Sequence, residues 1–570
     1  MVPGIRLLRT YRRQWLSRDL IAGVVLTGLL APAGLAYASA SGMPPVAGLY
    51  ASILPLLIYA MFGPSRIMVL GPDSSLTPLI AAAVIPLVAT DPAQAVAVGS
   101  MLAVMTGVFC VVGSLLKFGF IAELLSAPVR YGYLHGIAIT IIVGQAAKLC
   151  GFSVPGESIV GQLQDFWHGL AAGLFNGYAF TVGVGCLVVI LVLKSVSRRI
   201  PGTLIAVVAG IIVTLVFELE QHGVPLVGDL PRGIPTPSWP HLGWSTTRTL
   251  TGAAIGLALV SFADTSVLSR TMAIRRREAV DANDELRALG LANIGSGLFH
   301  GFPISASNSR TPVAEASGAQ TQLTGVVAAL TMLLLAVAFP SVFRHLPEAT
   351  LAAIVIAAAI SLIDIPTMVR LYHARRSEFW LAMVGMISVA VLGPITGVGV
   401  AIALSLLNFI RLAWKPHITE LVRVDGLKGY HDRERHPEGH TIPGLLLYRF
   451  DAPLFFANAR LFVDDLNRRI SARADPIRRV IVTAEPITDI DATAAEELRD
   501  LLVQLRDRGV ELRFAELKGT VHDRVDRYGV NLGEMPEHTA RTTGQAIKAY
   551  VKEFDIPWVD WEDQPPNAAQ

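Results

Sequence analysis

The chain has 570 residues, 52% of them hydrophobic and 16% charged, with a mean hydropathy of +0.52. An ordinary soluble domain carries about a quarter charged residues, so this composition excludes one and describes an integral membrane protein. The formal net charge of +2 is too small to suggest nucleic acid as a partner; charge is sparse until about Arg411 and dense beyond it, which separates a lipid-embedded part from a water-facing part.

Arg6, Arg9, Arg12, Arg13 and Arg18 precede the first apolar run, and no small-residue cleavage site follows a short core, so a retained first span is expected rather than a signal peptide. Apolar stretches of spanning or half-spanning length follow at roughly 20–40, 46–62, 74–89, 93–116, 126–150, 175–194 and 201–219. A Pro-rich interruption covers about Glu220 to Arg248. A second set lies at roughly 249–270, 287–299, 306–318, 321–340, 347–363, 377–393 and 395–413. Arg18, Arg66, Lys117, Arg198, Arg199, Arg275 to Arg277, Arg370, Arg375, Arg376, Arg411 and Lys415 all fall in loops that fourteen spans place on one side, with Arg232, Arg248 and Arg344 as exceptions. That side is predicted to be cytoplasmic, in a multi-pass cell-membrane protein with both termini inside. An odd number of spans per half gives the halves opposite orientation, the arrangement of inverted-repeat transporters.

Two glycine- and proline-interrupted segments sit at corresponding places: Leu70-Gly71-Pro72-Asp73-Ser74-Ser75 before the third span and Gly301-Phe302-Pro303-Ile304-Ser305-Ala306-Ser307 before the tenth. Broken helices at membrane depth are tolerated only where the freed backbone is buried in protein or lines a cavity. Each half-helix is expected to aim its N–H groups at a central site, where the positive dipole end favours an anion. Arg310 would add a full positive charge there; an arginine at membrane depth costs about 3 kcal/mol on insertion scales and needs a cavity, a carboxylate or an anion. Asp264, in Leu259-Val260-Ser261-Phe262-Ala263-Asp264-Thr265-Ser266, is expected to face Arg310 and to accept a proton or Na⁺, against the alternative of a fixed ion pair. Asp73 stays open between capping the half-helix and coupling. Ser74, Ser75, Ser305, Ser307 and Ser309 offer hydroxyls and Ala306 its backbone to the same anion, with helix capping as the alternative for the serines; Tyr37 either lines the site or packs. Cys110, Cys150 and Cys186 match no metal motif and are read as packing residues. No cofactor is expected; a Na⁺ near Asp264 is the only metal ion given a place.

His-Glu-x-x-His, Gly-x-Ser-x-Gly and Walker signatures are missing, which argues against an enzyme or an ATP-driven pump. After Pro416, strands are predicted within 443–456, at 478–484 and at 510–515, with helices at 458–472 and 492–508, a small α/β domain. The expected layout is an N-terminal segment 1–19, a membrane transport domain 20–413, a linker 414–440, the α/β domain 441–556 and a loose tail 557–570 that includes Pro565, Pro566 and Asn567.

Taken together, several motifs resemble the sulfate permease (SulP) family. They are Ala36-Tyr37-Ala38, then Pro44-Pro45-Val46-Ala47-Gly48-Leu49-Tyr50, Gly71-Pro72, the Gly-Phe-Pro-x-Ser stretch leading to Ser309-Arg310-Thr311, and Thr321-Gln322-Leu323-Thr324-Gly325. Phe455-Phe456-Ala457-Asn458-Ala459 and Thr488-Asp489-Ile490-Asp491-Ala492-Thr493-Ala494 look like a STAS domain. The resemblance covers nearly the whole chain. It implies an all-α membrane domain of fourteen spans, a seven-plus-seven inverted repeat with a core and a gate, followed by a cytoplasmic α/β STAS domain. It also implies a homodimer moving in elevator fashion, an anion held between the third and tenth segments, and coupling through Asp264. Two departures matter: Ala33 stands where the family often has glutamine, and Ala492 stands at the phosphorylatable serine of soluble STAS relatives.

The expected function is secondary active transport of a small oxyanion, sulfate first and bicarbonate second, with H⁺ or Na⁺. An uncoupled channel or exchanger and a dicarboxylate transporter are the alternatives. A cytoplasmic regulatory partner for the STAS domain is a further expectation.

Overall fold

The computed structural model describes residues 4, 10–88, 91–120, 126–154, 159–196, 201–233, 235–530, 539–540 and 542–558. Arg6, Arg9, Arg198, Arg199 and the Pro565-Pro566-Asn567 tail lie outside the described residues. Two compact units divide between Leu406 and Leu407.

In the first unit the chain runs through α1 (Leu16–Ala40), α2 (Pro45–Phe62), α3 (Thr77–Val88), α4 (Pro92–Leu115), α5 (Ala127–Leu149), α6 (Ile159–Ala171), α7 (Gly177–Val196) and α8 (Gly202–Val216). It continues as α9 (Trp244–Arg276), α10 (Ala282–Leu298), α11 (Arg310–Ala316), α12 (Leu323–Ala338), α13 (Glu348–Ile360), α14 (Ile365–Ala374), α15 (Arg376–Leu392) and α16 (Pro394–Trp414), the last of which begins in this unit and ends beyond Leu406. Each of the fourteen predicted apolar segments coincides with one of these helices. Among the described residues, seven helices are long and apolar enough to cross a membrane, and α3, α8 and α12 are shorter apolar helices.

α6 and α14 are not among the apolar stretches that the sequence predicts. Both carry polar residues along one face, and few of their side chains are buried, so a window of spanning length finds no apolar run. They follow the fifth and the twelfth apolar segments, the same place in each half of the chain.

Sequence features account for several helix starts. Proline occupies the first turn of α2, α4, α5 and α14, where the missing N–H costs nothing. Asp91 caps α4 through the Ala93 N–H at 2.9 Å, and Asp281 caps α10 through Asn283 and Asp284 at 2.7 and 3.1 Å. Small residues then let backbones touch. A β-carbon on Gly107 would stand 2.5 Å from the Gly290 carbonyl, and one on Gly290 would stand 2.7 Å from that of Gly107, so α4 and α10 can approach this closely only as glycine against glycine.

The second unit holds a six-stranded sheet in the order β4-β3-β5-β6-β7-β8. Its strands are β3 (Ile418–Arg423), β4 (Tyr430–Asp432), β5 (Leu445–Phe450), β6 (Arg479–Thr483), β7 (Glu511–Ala515) and β8 (Thr539–Ala540). β5 to β8 run parallel, and β3 is antiparallel to both β4 and β5. The helices are α17 (Ala459–Ser471), α18 (Ala492–Asp507), α19 (Gly519–Arg527) and α20 (Thr543–Glu553). The stretch expected as a linker, 414–440, supplies β3 and β4. Its charges look solvent-facing in sequence but are paired in the fold: buried Glu420 accepts from Arg433 at 2.8 Å and from Arg473, and buried Arg423 donates to the Gly429 and Leu427 carbonyls.

Candidate functional site

The two broken segments meet as a miniature antiparallel pair, β1 (Leu70–Gly71) with β2 (Ser305–Ala306), in register Leu70 to Ala306 and Gly71 to Ser305. The zipper is extended by the Ser307 N–H to the Val69 carbonyl at 3.0 Å and by the Val69 N–H to the Thr311 hydroxyl at 3.1 Å. It brings residues more than 230 positions apart into one buried cluster. Gly71, at φ 156°, takes a conformation that L side chains rarely adopt, and Arg310 Nη1 passes 3.5 Å from the space its β-carbon would fill.

Arg310, 4% exposed, lies at the first position of α11. Its Nη2 donates to the Pro72 carbonyl and stands 3.7 Å from Asp73 Oδ2, while Nη1 is buried with no hydrogen-bond partner. Asp73 meanwhile accepts the Ser75 N–H and hydroxyl at 3.1 Å each, and its carbonyl accepts the Thr77 hydroxyl at 2.9 Å. Asp73 therefore shapes the turn before α3 and faces the arginine at the same time. Tyr37 of α1 sits beside Ser74, with Asp73 and Arg310 as its charged neighbours.

The structure corrects one expected pairing. Asp264 does not face Arg310. It lies buried on α9 beside Ser75, and Asp73 and Arg130 are the charges that act on it. The reason is the register of the zipper: it seats Arg310 over Pro72 and Asp73, so Asp73 is the carboxylate it meets.

The serines divide. The Ser305 hydroxyl is buried without a partner. Ser307 Oγ accepts the Arg310 N–H at 3.3 Å and shares a hydrogen bond with Ser309 Oγ at 3.2 Å, while Ser309 itself is exposed. Ala306 gives its N–H to Thr265 Oγ1 at 3.3 Å. α11 has seven residues where 306–318 was expected to be helical, because the chain stays extended through Ala306 and turns at Gly318, φ 98°. So short a helix has little dipole, and the positive field on this side of the site comes from the guanidinium itself.

Several further residues support the cradle. Fully buried Asn293 of α10 clamps Ile304 from both sides, accepting its N–H at 2.9 Å and donating to its carbonyl at 3.1 Å. The Ser261 hydroxyl joins that carbonyl at 2.8 Å, and Gln322 holds the Ser65 and Met68 carbonyls at 2.9 Å each. Arg130 and Tyr133 of α5 carry a buried Nε and a buried hydroxyl without partners. The sequence signal for Asn293 is its place in the mostly apolar second half of α10, from Ala288 to Leu298. Among the described residues, no group of three or more His, Cys, Asp or Glu side chains gathers to hold a metal.

A helical membrane unit whose two broken segments close over a buried, incompletely paired arginine defines a membrane transporter built to attract negative charge. Within that class, the Sulfate permease family profile matches residues 16–385 and the STAS domain profile residues 436–546. The chain is 36% identical over 554 residues to a probable sulfate transporter of Mycobacterium tuberculosis (strain CDC 1551 / Oshkosh), covering 96% of this chain and 98% of that one. It belongs to the sulfate permease family and carries a C-terminal STAS domain; the proteins it matches are transporters, not enzymes. Its fold is similar to that of murine Solute Carrier 26 family member A9, an anion transporter in the inward-facing state, with a TM-score of 0.88 at 21% identity, covering 97% of this chain and 94% of that one. It is also similar to the transmembrane domain of a cyanobacterium bicarbonate transporter, with a TM-score of 0.61 at 23% identity, covering 69% of this chain and 98% of that one.

Proposed function

We propose that this protein is a secondary active transporter of a small inorganic oxyanion, sulfate first and bicarbonate second, moving it by alternating access with H⁺ or Na⁺. The single observation that carries this is Arg310: a cation buried at the meeting of two broken segments, with one carboxylate at 3.7 Å, an Nη1 that has no partner, and an unpaired Ser305 hydroxyl in the same β-pair. An unpaired buried donor costs about 1–3 kcal/mol, which a bound anion repays. The sulfate-transporter name of the M. tuberculosis relative and the bicarbonate-transporter title of the fold neighbour support an oxyanion. Ala33 withholds one polar contact, so preference between the two follows from the remaining donors.

Asp264 is the coupling group in this scheme. The uncoupled alternative required Asp264 to neutralise Arg310, and Asp73 already stands in that position, which favours a proton or Na⁺ at Asp264 beside Ser75. The amphipathic helices α6 and α14, in the same place in each half, and the antiparallel β1–β2 pairing support a seven-plus-seven inverted repeat. In this reading both termini and the STAS domain lie in the cytoplasm, the protein works as a homodimer in the cell membrane, and the STAS domain receives a regulatory partner.

Uptake of radiolabelled sulfate and bicarbonate into proteoliposomes, with pH and Na⁺ gradients imposed separately, tests this. Accumulation of one anion driven by one gradient is expected. Absence of accumulation for both anions under both gradients refutes it.

A further inference from the structure

A cavity of about 340 Å³ opens in the membrane unit away from the Arg310 cluster, between α1, α3, α5, α6 and the α15–α16 turn. Its polar lining includes Ser39, Thr77, Thr140, Gln145, Lys148 and Gln162, and the described lining residues include no carboxylate. Lys148 is the one cation among them. Its ammonium donates to the Ser39 carbonyl at 2.9 Å and the Ser39 hydroxyl at 3.1 Å, which leaves one of three donors uncommitted among the described residues. Glu348 is the carboxylate that acts on it, and only from beyond ion-pair distance. The amide oxygen of Gln162 is buried without a partner. Turned end for end, the same amide presents N–H donors to the cavity.

The position gives this cavity a purpose. Ser39, Lys148 and Leu392 lie at the C-terminal ends of α1, α5 and α15, whose negative dipole ends the ammonium offsets, while Thr77 and Pro394 lie at the N-terminal ends of α3 and α16, which favour an anion. Thr77 lines the cavity and its hydroxyl is bonded to the Asp73 carbonyl, so one helical turn separates this residue from Asp73 of the central cradle.

We propose that this cavity is a second anion site, in which Lys148 captures the oxyanion and raises its concentration at the mouth that leads to Arg310. The proposal rests on the transport function above. The competing role for Lys148 is a structural cap on the end of α1.

The test compares wild type, Lys148→Gln and Lys148→Arg as full chains in proteoliposomes, measuring initial sulfate uptake against sulfate concentration at low and high ionic strength. Capture predicts that Lys148→Gln raises KM about fivefold at low ionic strength with kcat unchanged, that the effect shrinks below about twofold at high salt, and that Lys148→Arg keeps the wild-type KM. An unchanged KM in Lys148→Gln, or a defect indifferent to salt, overturns the proposal. A second readout needs no transport: Thr140→Cys, in a chain whose three native cysteines are replaced, is labelled with anionic and cationic thiol reagents. The anionic reagent should gain about fivefold over the cationic one when Lys148 is present and lose that advantage with Lys148→Gln. Equal rates in both backgrounds overturn the second site, whereas a Thr140→Cys chain with Lys148 intact that labels as expected, in a protein that moves no anion, overturns only the transport function.

Discussion

Two buried polar regions of the membrane unit are built in opposite ways. Asp19, fully buried near the start of α1, accepts the N–H groups of Gln320 and Thr321 at 2.7 and 3.1 Å and the hydroxyls of Thr321, Thr324 and Tyr11 at 2.7, 3.1 and 3.3 Å. Glu285 is treated similarly, receiving the Tyr59 hydroxyl at 2.8 Å and the Ser65 hydroxyl at 2.8 Å. In the cradle, Arg310 and Ser305 are just as buried, yet Nη1 and the serine hydroxyl have no partner. Burial alone therefore does not distinguish scaffold from site. The degree of satisfaction differs: a saturated carboxylate ties α1 to the segment before α12, whereas the cation of the cradle keeps an unpaired donor.

The largest expected effect that sharpens this contrast is Arg310→Met. Sulfate uptake by proteoliposomes should fall at least about 100-fold, while the purified variant keeps the elution profile and unfolding temperature of wild type. Asp19→Ala should do the reverse. Stranding five donors costs about 3–5 kcal/mol, visible as a lowered unfolding temperature, and uptake per folded molecule should stay near wild type. If Asp19→Ala abolishes uptake in protein that remains folded, the division into scaffold and site is broken. Asp264→Asn comes next: uptake should lose its response to the imposed cation gradient and equilibrate without accumulating, and a full gradient response would remove Asp264 from coupling. The smallest effect is the most diagnostic. Ser305→Ala deletes a buried unpaired hydroxyl, so the anion-free protein should be unchanged or slightly more stable, by up to about 1 kcal/mol, while KM rises about threefold.

Much of this was legible in the sequence for a simple reason. Membrane helices announce themselves by apolar length, and the Gly-Pro-Asp and Gly-Phe-Pro breaks are loud against that background. α6 and α14 were silent because their apolar and polar residues alternate with helical period and leave no run. β3 and β4 were hidden by Glu420 and Arg423, charges that read as linker but are buried with partners. The pairing of Arg310 with Asp73 instead of Asp264 depends on the register of two strands of two residues each, too short for any periodicity to reveal. Asp19 was passed over because it follows Arg18 at a span boundary, where a charge is ordinary. Its five hydrogen bonds, from four residues, come mostly from a segment some 300 residues away.

The most direct test of the incompletely paired cradle is anion binding itself. Unfolding temperature should be followed in detergent as sulfate, then bicarbonate, is titrated into wild type and Arg310→Met at constant ionic strength. A ligand that binds only the folded state raises the temperature in proportion to its occupancy. Wild type should be stabilised by at least one of these oxyanions in a saturable way, and Arg310→Met should show no saturable shift. Equal, saturable stabilisation of both proteins would place the anion elsewhere and contradict the role assigned to Arg310.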